Sequence, residues 1–294
     1  MKTAIIIQGK LHQHSLNAIE YYSTIGDVFL SHYDDLLPPN PKIKEVVRSN
    51  PEVPVHAWNG QNVYLQCLTT LAGINAAIRH GEENHSQYDI AIKVRSDNAF
   101  GNLVPFLYAV NSDPNKYTCS NLHFRPDRIC KFHASDKLIG AGIYKMRDCF
   151  AMALRRCLTM REFLMSGIYE VPPVHNMHPP YFYSHAPEPP LSVMFTHDSK
   201  FEPPFEQSDE EPPVLGYPRK LAHNYDGIYP EVLIATSWLM ANGITPNRYF
   251  SKYQMANNFR IVRVEELGPY INKHGSHVPE HNWLEIDHIS QLGM

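Results

Sequence analysis

The 294-residue chain has few of the features that most quickly assign a function. No apolar segment approaches the roughly 18 residues needed to cross a bilayer, so a membrane-spanning helix is not expected. The start, "MKTAIIIQGKLHQHS", has only Ala4 to Ile7 as an apolar run. That is shorter than the 7–15 residues, roughly, of a signal h-region, and the run reads as a first buried strand. Net charge is −4 and no block of like charge stands out, which argues against a nucleic-acid surface. The five cysteines (Cys67, Cys119, Cys130, Cys149 and Cys157) are odd in number and lack CxxC spacing, so free thiols in a reducing compartment are expected and a zinc site is not. None of the 17 histidines belongs to an HExxH or other tight ligand spacing. There is no internal repeat and no low-complexity tract.

What is present is alternation. Ala4–Gln8 is an apolar strand that ends in Gly9. A helix is expected over Ser15–Ser23 and a strand over Asp27–Ser31. Residues 63–79 carry apolar side chains at helical spacing, among them Leu68, Leu71, Ala72 and Ala76. Ile90–Arg95 is a further strand. Short apolar strands alternating with helices predict an α/β fold with a mostly parallel sheet covered on both faces. Ligands of such sheets gather at the carboxyl ends of the strands. That rule groups Gln8-Gly9, the stretch from Ser31 to Asp35, and Ser96-Asp97-Asn98 around one crevice.

The second half has a different texture. Lys137–Met146 reads as a strand interrupted by Gly140-Ala141-Gly142, followed by an amphipathic helix from Arg147 to Phe163. Residues 171–218 hold proline pairs at 172, 179, 189, 203 and 212, which exclude regular helix or central strand. Tyr181, Phe182, Tyr183, Phe195 and Phe201 give this excursion material to pack, as a lid would need. Pro230–Asn242 returns as a helix, with proline in its first turn and Gly243 just past its end. Phe259–Val264 is a late strand.

The stretch "YDIAIKVRSDNAF", residues 88–100, concentrates the candidate chemistry. Asp97 follows a strand that runs through the core. Such an acid can serve a divalent cation and substrate phosphates, because Mg²⁺ and Mn²⁺ prefer oxygen ligands and often take only one or two carboxylates. Ser-Asp-Asn is equally a strand-end turn, since all three residues favour turns. Strand alternation puts Lys93 and Arg95 on one face, which suggests a crevice rather than core. Arg95 can clamp a phosphate bidentately, or pair with Asp97 or Asp89.

Five segments in order, "AIIIQGK" at the start, "LTTLAGINAA" in the long helix, "YDIAIKVRSDNAF", "HASDKLIGAGIYKM" at 133–146 and "YDGIYPEVLIATSWLMANGI" at 225–244, resemble the WavE-like family of glycosyltransferases, named for lipopolysaccharide synthesis. The resemblance spans most of the chain outside the proline-rich excursion. It implies one GT-A domain over residues 1–294, with a nucleotide-sugar-binding half (1–100) and an acceptor-binding half (101–294) that contains the excursion 171–218. Lys93 to Asp97 falls where the family has a K-x-R-S/T-D stretch, and Asn98 stands where a second acid would strengthen a DxD-like site.

The roles that follow are those the resemblance implies. Asp97, with Arg95 and Asn98, would hold the donor diphosphate and a divalent cation (Mn²⁺ or Mg²⁺), with His274 or His277 as a late metal ligand. Gln8 and Gly9 would meet the nucleobase or ribose. Asp136, Gly140, Ala141 and Gly142 would line the acceptor side, although the glycines equally suit a bulge or close packing against a helix. Glu231 would be the general base of an inverting transfer, with Asp226 its nearest substitute and Asp198 a more distant one, although an acid at this position equally suits a simple helix N-terminus. A helix N-terminus would hold Glu231 ionised. The substrates would be a nucleotide sugar and a glycan acceptor, without nucleic acid or membrane segment. With neither a signal peptide nor a membrane span expected, a soluble cytoplasmic protein is expected; the family occurs in bacteria and in some large viruses, and a viral source would place it in the host cytoplasm. Two alternatives remain at this stage: a sugar nucleotidyltransferase, which should carry a Gly-rich basic loop after the first strand, and a non-catalytic carbohydrate-binding protein of the same fold.

Overall fold

The computed structural model describes residues 1–10, 12–32, 40–49, 63–122, 132–165, 230–247, 250–268 and 270–272. Asp226, Asp198, His274, His277 and the whole excursion 171–218 lie outside the described residues.

The chain begins with β1 (Thr3–Gln8), α1 (Gln13–Tyr22), β2 (Asp27–His32), β3 (Ile43–Arg48), α2 (Val63–Glu83) and β4 (Ile90–Arg95). After β4 come β5 (Asn98–Phe100), α3 (Val104–Ser112), β6 (Tyr117–Ser120), β7 (Leu138–Gly142) and α4 (Ile143–Met165). The later described elements are α5 (Pro230–Ala241), α6 (Ser251–Asn258), β8 (Phe259–Val262), a 3₁₀ turn at Val264–Leu267 and β9 (Tyr270–Asn272). Seven strands form one sheet in the order β3-β2-β1-β4-β7-β6-β8, and β5 pairs with β9 in a separate two-stranded ribbon. Neighbours are parallel except at β7, which runs antiparallel to both β4 and β6. The protein is thus α/β, with a mostly parallel sheet flanked by helices, as the alternation predicts.

Alternating side chains build two cores. Ala4, Ile6, Phe29 and Ala91 pack with residues of α2, α4 and α5. Ile5, Ile7, Val28, Leu30, Ile90, Ile92 and Val94 pack on the other face, with residues of α1 and α3. Strands buried on both faces read as continuous apolar runs, which is why "AIIIQ" and "IAIKV" are legible in the sequence.

Glycine sets two close approaches. A methyl group on Gly73 of α2 would lie 2.5 Å from Ile6 Cγ2 and 3.1 Å from Ser31 Cβ, so this helix lies directly on β1 and β2. A methyl group on Gly140 of β7 would lie 2.6 Å from Val110 Cγ2 and 2.9 Å from Phe106 Cε1, both on α3. Of the readings open for Gly140, close packing against a helix is the one realised. The expected strand Lys137–Met146 is also shorter than predicted: it stops at Gly142, and helix α4 starts at Ile143 rather than Arg147.

Helix α5 is fastened from behind. Arg156 of α4 is 2% exposed, and its Nη1 donates to Leu233 O at 3.1 Å, Thr236 Oγ1 at 3.0 Å and Ser237 Oγ at 2.6 Å. Trp238 meets Tyr117 of β6 edge-on at 5.6 Å. The helix ends as expected, with Gly243 at φ +75° and Ile244 N donating to Leu239 O at 2.9 Å. Among the described residues no helix is long and apolar enough to cross a membrane, and Cys67, Cys119, Cys149 and Cys157 are buried free thiols.

Replacing a helical glycine by alanine ordinarily favours the helix by about 1 kcal/mol. Gly73→Ala should instead destabilise by about 1–3 kcal/mol through overpacking, and Gly140→Ala likewise. Urea unfolding measures both, and a stabilised Gly73→Ala would refute the close packing of α2 on β1.

Candidate functional site

The carboxyl ends of β1 and β4 are tied into one rim. Gly9, at φ +117°, donates its N–H to Ser31 O at 3.1 Å, and Ser96 N donates to Gln8 O at 2.8 Å. A side chain at Gly9 would collide with Ser96 Oγ, which itself donates to Lys10 O. Thr69 of α2 directs its hydroxyl to Leu65 O at 2.6 Å, so Gln8 presents its amide nitrogen to Thr69 Oγ1 at 2.9 Å. Gln8 Oε1 is left buried without a hydrogen-bond partner among the described residues. Gln8-Gly9, Ser31 and Ser96 therefore meet at the carboxyl ends of β1, β2 and β4, while Tyr33 to Asp35 lie outside the described residues.

The antiparallel direction of β7 decides which of its residues reach this rim. Val94 faces Leu138 and Ile90 faces Gly142, while Arg95 N donates to Lys137 O at 3.0 Å. Asp136 and Lys137 therefore stand at the crevice end beside Arg95. Gly140, Ala141 and Gly142 run away from it toward the amino end of β4, and Gly142 N donates to Pro114 O at 2.8 Å. The acceptor-side role expected of these three residues thus has no position at the rim; Asp136, expected beside them, does.

At the rim lies a cluster of charge. Asp136 is fully buried. Its Oδ2 accepts from Gln66 Nε2 at 2.7 Å and Arg95 Nη1 at 3.0 Å, and Oδ1 lies 3.1 Å from Lys137 Nζ. Lys93 Nζ donates to the backbone carbonyl of the same residue. Burial alone would push the Asp136 carboxyl up. Lys137, Arg95 and Lys93 outweigh it and hold the group well below the ordinary carboxylate range.

Asp97 is held by Arg95 side-on, with Nε at 3.0 Å from Oδ1 and Nη2 at 2.7 Å from Oδ2. Asn98 Nδ2 also donates to Oδ1. Despite partial burial, the Arg95 charge keeps the Asp97 carboxyl below its usual value. Of the partners open to Arg95, Asp97 is realised and Asp89 is not; Asp89 accepts from Lys2 N at 2.6 Å. Lys93 departs from expectation: it is 0% exposed, so the face it shares with Arg95 is core at Lys93 and crevice only at Arg95. Burial brings its ammonium down to about 7.

Glu231 opens α5, as expected, and α5 delivers it to the same cluster. It is 9% exposed, and its Oε2 lies 3.9 Å from His133 Nε2. The expectation that the helix terminus keeps it ionised is corrected. Burial, and then the negative charge of Asp136, raise its carboxyl to about 7, overriding the lowering by Lys137, the backbone N–H and Arg95.

Three participants were missed in the sequence. Lys137 and His133 flank Asp136 in the quoted "HASDK" segment, and a conspicuous acid between basic neighbours was the signal. Gln66 carries no such signal, because only the packing of α2 brings it under Asp136. Among the described residues no group of three or more His, Cys, Asp or Glu is placed to hold a metal ion.

The electrostatics set the pH dependence of stability. Asp97 and Asp136 have lowered carboxyl pKa values, so their contribution is present above the unfolded value near 3.8 and is lost as pH falls through the folded values. Glu231 has the opposite sign. Its contribution is present below 4.5 and is lost as pH rises through about 7. Glu231→Gln should therefore raise the unfolding midpoint relative to the parent at pH 8 and leave it nearly unchanged at pH 4. Asp136→Ala, which strands three cations, should cost about 3–5 kcal/mol at neutral pH. Thermal unfolding across pH 4–8 reads both, and an equal Glu231→Gln shift at both ends would exclude a buried, neutral Glu231.

No protein-family model matches this chain, and no curated protein matches it.

Proposed function

We propose that the chain is a glycosyltransferase of GT-A-like architecture, which moves a sugar from a nucleotide-diphosphate donor to a hydroxyl of a glycan acceptor with inversion. The observation that carries this reading is the meeting of a carboxyl group poised near pH 7, Glu231, with the cations Arg95 and Lys137 at the carboxyl end of β4. A displacement at a sugar carbon needs both parts. The attacking hydroxyl must lose a proton, and the departing diphosphate must have its growing negative charge offset.

Glu231 supplies the first part. A general base works best when its pKa lies near the operating pH, where it is partly ionised yet still a strong enough acceptor. Burial beside Asp136 brings Glu231 to that range; a solvated helix-end glutamate would be a weaker base. Arg95 and Lys137 supply the second part. Opposite unit charges about 4 Å apart attract by roughly 4 kcal/mol at an effective dielectric near 20. The sheet supports the division into halves: the parallel strands β3-β2-β1-β4 end at the rim where a nucleotide would lie, and the mixed half brings in Asp136, Lys137 and, through α4, the base.

The divalent cation expected at Asp97 fits the described residues poorly. Both Asp97 oxygens already accept from Arg95, and both Asp136 oxygens face cations or the Gln66 amide. No step is assigned to a metal. The nucleotidyltransferase alternative has no support at the β1 loop, where the lone Gly9 is bound to the Ser31 carbonyl.

Thermal shift with a panel of nucleotide sugars, each with and without Mn²⁺, should identify the donor, because binding adds stability as RT ln(1 + [L]/Kd). With that donor and a glycan acceptor, Glu231→Gln should lower kcat by about 10²–10⁴-fold while donor Kd holds. The parent kcat/KM should rise with pH through an apparent pKa of about 7. Donor binding without turnover, unaffected by Glu231→Gln, would favour the non-catalytic carbohydrate-binding protein instead.

A further inference from the structure

We infer that the charged cluster is a diphosphate receptor that works without a divalent cation, in which Arg95 and Lys137 grip the phosphoryl oxygens and Asp97 is a counter-ion that aligns Arg95. The identity of the diphosphate, a nucleotide leaving group, rests on the glycosyltransferase reading; the chemistry of the receptor does not.

The carboxylates near the rim are each committed. Asp97 offers one oxygen to Arg95 Nε and the other to Nη2, in the fork-to-fork geometry that gives charged pairs their strength. Asn98 adds a third donor on the same carboxylate. A dication placed on Asp97 would displace that pair and sit against a guanidinium, so like-charge repulsion opposes it. Asp136 is fully buried: its Oδ2 accepts from Gln66 and Arg95, and its Oδ1, which has no hydrogen-bond partner among the described residues, faces the Lys137 ammonium at 3.1 Å. Glu231 faces His133, and burial disfavours its charged form. A hard cation needs oxygen lone pairs that are free and reachable, and these three acids do not present a set.

The cations are placed differently. Arg95 uses three N–H groups on its two carboxylates, Nε and Nη2 on Asp97 and Nη1 on Asp136. A guanidinium has five, so among the described residues one N–H on each terminal nitrogen is left over, on a side chain that is 25% exposed. Lys137 Nζ pairs with the opposite oxygen of Asp136 at 3.1 Å, an ion pair without a hydrogen bond, and its side chain is 14% exposed. One buried carboxylate therefore holds a guanidinium and an ammonium side by side at the mouth of the crevice. Lys93 lies behind them, its Nζ donating to the backbone carbonyl of Asp136. Two carboxylates fix the guanidinium plane before any ligand arrives, so little side-chain freedom is lost on binding.

The test is calorimetric titration of the intact chain with inorganic pyrophosphate in EDTA, and with nucleoside diphosphates and nucleotide sugars in EDTA and in Mn²⁺. The expected result is binding in EDTA, with Kd for the nucleotides changing less than about threefold on adding Mn²⁺. Arg95→Lys, which keeps charge but loses the fork, and Lys137→Gln should each weaken binding by about tenfold or more. Asp97→Asn should change affinity equally in EDTA and in Mn²⁺. Unfolding midpoints for each variant separate lost binding from lost folding, and Lys137→Gln, on a partly exposed side chain, serves if Arg95→Lys fails to fold. Nucleotide binding that needs Mn²⁺, and that Asp97→Asn abolishes, overturns the inference and leaves the transferase reading intact. Pyrophosphate binding in EDTA with no nucleotide bound does the reverse. Failure of every anion to bind in either condition sinks both.

Discussion

The buried carboxylate of Asp136 is the contact on which the site depends. Without exposed surface it cannot be solvated, so it is tolerable only because Lys137, Arg95 and Gln66 converge on its oxygens. Each of those partners comes from a different part of the fold. Arg95 ends β4, Gln66 comes from α2, and Lys137 precedes β7. One ion thus fixes where three elements stand relative to each other. It also fixes the electrostatics around it: its charge helps raise Glu231 and supports the charged forms of Arg95 and Lys93.

That coupling links stability to chemistry. The features that raise the Glu231 carboxyl to about 7 are burial and a neighbouring negative charge, and both work against the folded state once Glu231 ionises. The protein keeps the strained group in place through a separate, strong fastening. Arg156 reaches across from α4 to three oxygens of α5, and Trp238 wedges against Tyr117. Helix α5 is thereby anchored several residues downstream of Glu231, so the acid can be destabilised without releasing the helix. Perturbed groups of this kind concentrate where proteins bind and react.

Asp97 illustrates how an apparent motif acquires a different role in space. In the sequence it is an acid at a strand end, and either a metal or a turn accounts for it. In the fold the residue two positions earlier turns back and takes both of its oxygens. Arg95 ends β4 and Asp97 lies in the turn that follows, so strand alternation does not say whether the two side chains meet or diverge. Lys93 shows the same limit: it shares the face of Arg95 but lies under α2, α4 and α5, so its ammonium is core rather than crevice.

The sequence by itself determined the strands and helices whose two-sided burial writes itself as continuous apolar runs: β1, β2, β4, α2 and α5 fall where the runs place them, and Pro230 and Gly243 bound the last helix. Arg95 and Asp97 stood out as charges at the end of a buried strand, whereas Asp136 and Glu231 were singled out through the family resemblance. Short or half-polar elements such as β3, β6 and α6 were not legible, since their burial comes from neighbours distant in the chain. The direction of β7 was decided only by tertiary structure. A strand's residues do not encode whether it pairs parallel or antiparallel, and here that choice turns Asp136 and Lys137 toward the rim and carries Gly140 to Gly142 away from it. The protonation of Glu231 was likewise a tertiary outcome, because the local helix dipole favours its charge while the Asp136 carboxylate, 95 residues earlier in the chain, and burial together oppose it.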